Sequence, residues 1–239
     1  MPIEEPRIKT HVAGLDERLG GGIPRRHVVL LSGPPGSMKS SLAYAILHQN
    51  AVRHGTPGLY VSLEQTRGSL LRQMRAMGFS DPPASSWGIV DVATIGKEAG
   101  EASRSAWMDL FWRVLRSRRR IQPYELLVLD SLDALELLAR YPSEREETLS
   151  LFESLRQDNV TSVVVAESEK SGGAAWGRER LGAAFLADGV INLTMHDRSD
   201  VSVQRRVRVL KMRGTAHETR YYALSFDNGG FGISEAPSV

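Results

Sequence analysis

The chain has 239 residues, 41% hydrophobic and 24% charged, with a formal charge of +2 and no cysteine. That length and balance suit one large α/β domain with a buried core; they exclude disulfides, thiolate metal sites and thiol catalysis, and make any basic surface a local one. The opening MPIEEPRIKTH is charged and is no secretory signal, and no apolar run approaches the roughly 20 residues that cross a bilayer, so a soluble cytoplasmic protein without membrane contact is expected.

HVVLLSG (27–33) predicts a buried strand. A helix follows over 39–53, with Leu42, Ala45, Ile46 and Ala51 near helical spacing and Gly55 as its stop. GLYVSLE (58–64) predicts a strand, and 68–77 a short helix carrying Leu70, Leu71, Met74 and Met77 on one face. GIVDVA (88–93) is a third strand. The segment 103–117 is amphipathic, with Trp107, Leu110, Phe111, Val114 and Leu115 as its stripe. LLVLDS (126–131) is an apolar strand that ends in a carboxylate. Ser143 and Glu146 form a capping box that opens a helix to about residue 157. TSVVVAES (161–168) is another buried strand, and the polar, Gly-rich 168–180 reads as a loop. VINLTMH, VSVQRRVRVLKMR and TRYYALSF resemble antiparallel strands closing one edge. The alternation predicts an α/β fold, a mostly parallel central sheet flanked by helices, in one domain over residues 1–239.

GPPGSMKSS (33–41) sits between the first strand and the first long helix. Such a turn cradles phosphate, because successive backbone N–H groups and a helix N-terminus form a concave positive site. Gly33, Lys39 and Ser40 match the spacing G-x-x-x-x-G-K-[ST], while Met38 stands where the second glycine is usual. Helical dihedrals at Met38 would let an L-residue present its N–H, with its side chain turned to the core; Gly36 keeps the loop supple. Lys39 would reach the β and γ phosphates, and the Ser40 hydroxyl would ligate Mg²⁺. Asp130 ends its strand as a Mg²⁺-positioning aspartate does, or as a helix cap. Glu64 ends the strand expected to neighbour the phosphate-loop strand; it either orients a water, or is an N-cap or a solvent-exposed glutamate. Lys211 and Arg213 alternate onto one strand face, able to stabilise phosphate charge or simply to decorate an edge.

Together these segments resemble the KaiC-like branch of the RecA-type phosphate-loop ATPases over about residues 7–235. The similarity rests on RIKTHVAGLDERLGGGIPRRHVVLLSGPPG, SLEQT (62–66), LLVLDS and KMRGTAH (211–217). It implies a RecA-like fold and a ring, usually a hexamer, with Mg²⁺–ATP between neighbours. Gly33, Gly36, Ser37, Met38, Lys39, Ser40 and Ser41 would hold the nucleotide, with Asp130 and Ser40 at the metal. Glu64 would be the general base or water-positioning residue. Lys211 and Arg213 would reach the neighbour's γ phosphate, with Met212, Thr215 and His217 near that nucleotide and Arg205 and Asp227 near base and sugar. A regulatory or signalling ATPase, with room for a protein partner, is therefore expected.

Gln65 stands where KaiC has a second glutamate, and GAAFLAD (182–188) lacks the hydroxyls of KaiC's phosphorylated pair, so self-phosphorylation is not expected. Two alternatives stand beside this reading. One is a RecA- or RadA-like DNA-dependent ATPase, gripping single strands through Lys170, Trp176, Arg178 and Arg180 or the cluster RSRRR (116–120). The other is a nucleotide-binding switch or scaffold of low turnover.

Overall fold

The computed structural model describes residues 6–81, 83, 86–99, 106–139, 143–168, 178–199, 202–227 and 229–236. Its elements in chain order are β1 (Arg7–Ile8), α1 (Leu15–Arg18), β2 (Ile23–Pro24), β3 (Val28–Gly33), α2 (Lys39–His54), β4 (Gly58–Ser62), α3 (Arg67–Ala76), β5 (Trp87–Asp91), α4 (Val92–Ala99), α5 (Ala106–Ile121), β6 (Leu126–Asp130), α6 (Leu132–Ala139), α7 (Glu144–Gln157), β7 (Thr161–Glu167), α8 (Arg178–Leu186), β8 (Gly189–Ser199), β9 (Ser202–Met212), β10 (Tyr222–Asp227) and β11 (Gly230–Glu235). The main sheet has the order β11-β10-β9-β8-β3-β7-β6-β4-β5. Pairing is parallel from β8 through β5 and antiparallel from β8 to β11.

β3 is buried along its whole length because helices cover both faces of the sheet. Val29 and Leu31 point into a core shared with α2, α1 and the tail strands; Val28 and Leu30 point into one built with α5, α6, α7 and α8. This alternation explains the unbroken apolar run of the sequence. α2 ends at Gly55, whose φ of 64° permits the left-handed cap that its sequence position predicts. The tail strands close the sheet edge as expected.

Several sequence expectations change. β4 does not neighbour β3: β7 and β6 lie between them, because α2 carries the chain across two strand positions that later segments fill. The strand expected over 88–93 stops at Asp91, which accepts hydrogen bonds from Thr94 N (2.8 Å) and Oγ1 (2.6 Å) and turns the chain into α4. Ser143 is the N-cap of α7, but its side chain makes no capping bond, so the capping box is not formed. Residues 169–177 of the expected loop, with Lys170 and Trp176, lie outside the described residues, and 178–180 already belong to α8.

Candidate functional site

Sheets of this kind bind ligands beyond the carboxyl ends of their parallel strands, near a reversal of strand order. β3 is such a place. The chain leaves it toward β4 on one side, while α8 returns to place β8 on the other. The turn 33–38 emerges there and runs into α2. A Cβ on Gly33 would lie 2.8 Å from Ser37 Oγ and 2.9 Å from Leu193 Cβ, so no side chain fits at this position. Gly36 takes φ 80°. Ser37 is fully buried, and its hydroxyl donates to Pro34 O at 2.7 Å.

Met38 has φ 72° and ψ 26°, which corrects the expectation of helical dihedrals. It keeps the left-handed conformation that glycine would adopt freely, at a cost of about 1–2 kcal/mol for an L-residue. Its side chain packs against the core beside α2, and that apolar contact offsets the strain. The loop therefore retains its curvature with methionine in the glycine position. The N–H groups of α2 that precede its first intrahelical bond, from Leu42 N to Met38 O at 2.9 Å, have no intrahelical acceptor. Ser41 is turned inward, its Oγ 3.3 Å from Met77 Sδ, so only its backbone serves the loop.

Lys39 is nearly buried, with Nζ donating to Pro34 O at 3.0 Å. Burial draws its pKa below the usual lysine value, opposed by the charges of Glu167, Asp133, Asp130 and Glu64. Asp130, also buried, accepts from Ser40 Oγ (3.1 Å) on Oδ1 and from Tyr60 Oη (2.6 Å) on Oδ2. Burial raises its pKa, against the pull of those two bonds and of Lys39. Tyr60→Phe would leave Oδ2 without its buried donor. It should lower stability by about 1.5–3 kcal/mol, read as a shifted urea midpoint at constant slope.

Glu64 joins this group through β6 rather than through β3. Ser62 pairs with Asp130, Leu63 N donates to Asp130 O at 2.7 Å, and the Ser131 hydroxyl donates to Glu64 Oε1. Gln65 looks elsewhere: its side-chain oxygen accepts from Ser69 Oγ, and its backbone oxygen from Ser62 Oγ. The single carboxylate of the SLEQT segment is exposed and is held by Ser131, the residue after Asp130.

The remaining expected residues divide between two edges of the sheet. Arg205 Nε donates to Gly36 O at 3.1 Å, beside the turn. Asp227 ends β10 in the hairpin whose Gly229 lies against Gly78. Lys211, Arg213, Thr215 and His217 lie at the opposite edge. Met212 pairs with Gly189, which pairs with Val29, four residues below Gly33 and thus about 13 Å away along the strand. Lys211 Nζ donates to Phe185 O (2.8 Å) and Ala187 O (2.6 Å), and Arg213 Nη1 to Asp188 Oδ1 (2.7 Å). Thr215 Oγ1 accepts from Arg7 Nη1 at 2.9 Å, and His217 Nδ1 lies 3.1 Å from Thr215 O. The Met212 side chain is buried against Gly189, which leaves only its backbone for a ligand.

A protein-family model described as "ATPase: KaiC" matches residues 8–238. The chain belongs to the KaiC ATPase family. A UPF0273 protein of Aeropyrum pernix is 33% identical over 94% of this KaiC-family chain and 92% of its own length. A circadian clock oscillator protein KaiC of Parathermosynechococcus lividus is 26% identical over 95% of the chain, which spans 42% of that longer protein. Among solved structures, a KaiC-like protein of Pyrococcus horikoshii superimposes with a TM-score of 0.78 at 26% identity, over 96% of this chain and 99% of that one. Among the described residues, no helix of this KaiC-family chain is long and apolar enough to cross a membrane.

The donor set fits Mg²⁺ held together with a substrate. Ser40 and Asp130 offer hard oxygens 3.1 Å apart, and no group of three or more His, Cys, Asp or Glu among the described residues would hold a metal alone. Mg²⁺ commonly takes one or two protein oxygens and completes its shell with water and phosphate.

Proposed function

We propose that this chain binds Mg²⁺–ATP between the phosphate loop of one subunit and the Lys211–Arg213 edge of the next, in a ring of six, and hydrolyses it with water. The observation that carries the reading is the separation of its parts. The loop, Lys39, Ser40, Asp130 and Glu64 gather at one edge of the sheet, and the two cations sit about 13 Å down it, too far to serve the same phosphate. A second copy supplies what each edge lacks.

In this reading the N–H groups of the turn and the Lys39 ammonium hold the phosphates. Ser40 and Asp130 would hold Mg²⁺, which neutralises phosphate charge and orients the γ group. Glu64 takes a proton from the attacking water, its carboxylate aimed by the Ser131 hydroxyl. Lys211 and Arg213 of the neighbour stabilise charge on the γ phosphoryl oxygens, and Arg205 and Asp227 lie on the side of sugar and base. The support for DNA binding in 169–177 lies outside the described residues, and Arg119 of the α5 cluster is engaged with Asp158. Phosphate release from Mg²⁺–ATP, measured beside light scattering, tests the reading. A ring-sized species that turns over, and a Lys39→Ala variant that does not, are expected; turnover by a monomer would contradict it.

A further inference from the structure

The cations at the lower edge are not loose. Asp188, between α8 and β8, is 7% exposed. Its Oδ2 accepts from Val28 N (3.0 Å) and Arg156 Nε (2.9 Å). Its Oδ1 accepts from Arg156 Nη2 (3.2 Å) and Arg213 Nη1 (2.7 Å). Its backbone joins in: Asp188 N donates to Val28 O (2.8 Å), and Arg213 N to Asp188 O (2.9 Å). Arg213 is thus gripped at both its main chain and its guanidinium, yet its side chain stays 54% exposed.

We infer that Asp188 is a positioning residue, which sets the Arg213 guanidinium in the direction of the neighbouring subunit's phosphate. The inference rests on the trans-acting reading above. A free arginine loses much side-chain entropy when it is fixed on a phosphate. Asp188 removes most of that loss in advance, because one amino group is already held while the side chain stays 54% exposed. One carboxylate against two guanidiniums also leaves a net positive charge at the edge, so Arg213 is aimed without being neutralised. Arg156 is needed for this, as its bidentate fork and its bond to Leu186 O (2.6 Å) fix the carboxylate. Lys211 is held by carbonyls of the same turn, so one short segment orders both cations.

The rival role is a staple that keeps Val28, and through β3 the subunit's own phosphate loop, in place. Complementation separates the two. Asp188→Asn should lower kcat about ten- to a hundredfold and leave KM within about threefold. Mixed and reassembled with Lys39→Ala subunits, which bring an intact Arg213, Asp188→Asn subunits should regain turnover; mixed with Arg213→Ala subunits, they should not. Regain only with Arg213→Ala would place the defect in the phosphate loop and overturn the proposal, as would unchanged kcat in the single variant. Lys39→Ala with Arg213→Ala is the control: if that pair regains nothing, the trans-acting reading itself fails and this inference goes with it. Should Asp188→Asn not assemble, Asp188→Glu keeps the charge and moves the carboxylate by one methylene. The same two mixtures then support or overturn the proposal in the same way.

Discussion

Arg213→Ala should lower kcat about a thousandfold while ATP binding changes little, because a cation that meets the γ phosphoryl group in the transition state acts mainly on the chemical step. The structure makes the variant a clean one. Arg213 lies just beyond the end of β9 with 54% of its side chain exposed, so its removal opens no cavity. Asp188 keeps Val28 N and both bonds from Arg156 when Arg213 is lost. The fold should therefore survive, and circular dichroism and light scattering should match wild type. Arg213→Lys should recover only part of the rate, since a point charge lacks the planar fork that spans two phosphate oxygens. A steady-state assay over a range of ATP concentrations separates kcat from KM; an unchanged kcat would remove Arg213 from the mechanism.

Glu64→Gln should lower turnover by about a hundredfold or more and leave ATP bound. The amide keeps the size of the carboxylate and can still accept the Ser131 hydroxyl, so only basicity is lost. Melting temperature should be unchanged. A fluorescent ATP analogue should bind as it does to wild type, and single-turnover measurements should show the slow step at hydrolysis. Equal loss of binding and turnover would mean that Glu64 shapes the crevice rather than activating water.

The parts of this site legible in the sequence are those built from local backbone. The turn at 33–41 announces itself because a buried strand precedes it and an apolar helix follows, and Asp130 because it closes an unbroken apolar run. Strand order is not legible in this way. Nothing in residues 39–57 states how many positions α2 crosses, so the sequence places Glu64 on a strand beside β3 when it stands beside β6. The left-handed Met38 is hidden for a different reason: packing against the core offsets a backbone strain that residue type alone would argue against. Asp188 gives no signal at all, because its partners Val28, Arg156 and Arg213 lie 160, 32 and 25 residues away in the chain. Ser143 shows the reverse case, a capping pattern present in sequence whose side-chain bond is not made.

The measurement that tests the central claim most directly is ATP turnover by an equimolar mixture of Lys39→Ala and Arg213→Ala subunits, each inactive alone. Reassembled together, the intact loop of one variant meets the intact Arg213 of the other, and a fraction of wild-type turnover should return. A mixture as inactive as its components would show that loop and cation do not meet across an interface, and would contradict this account.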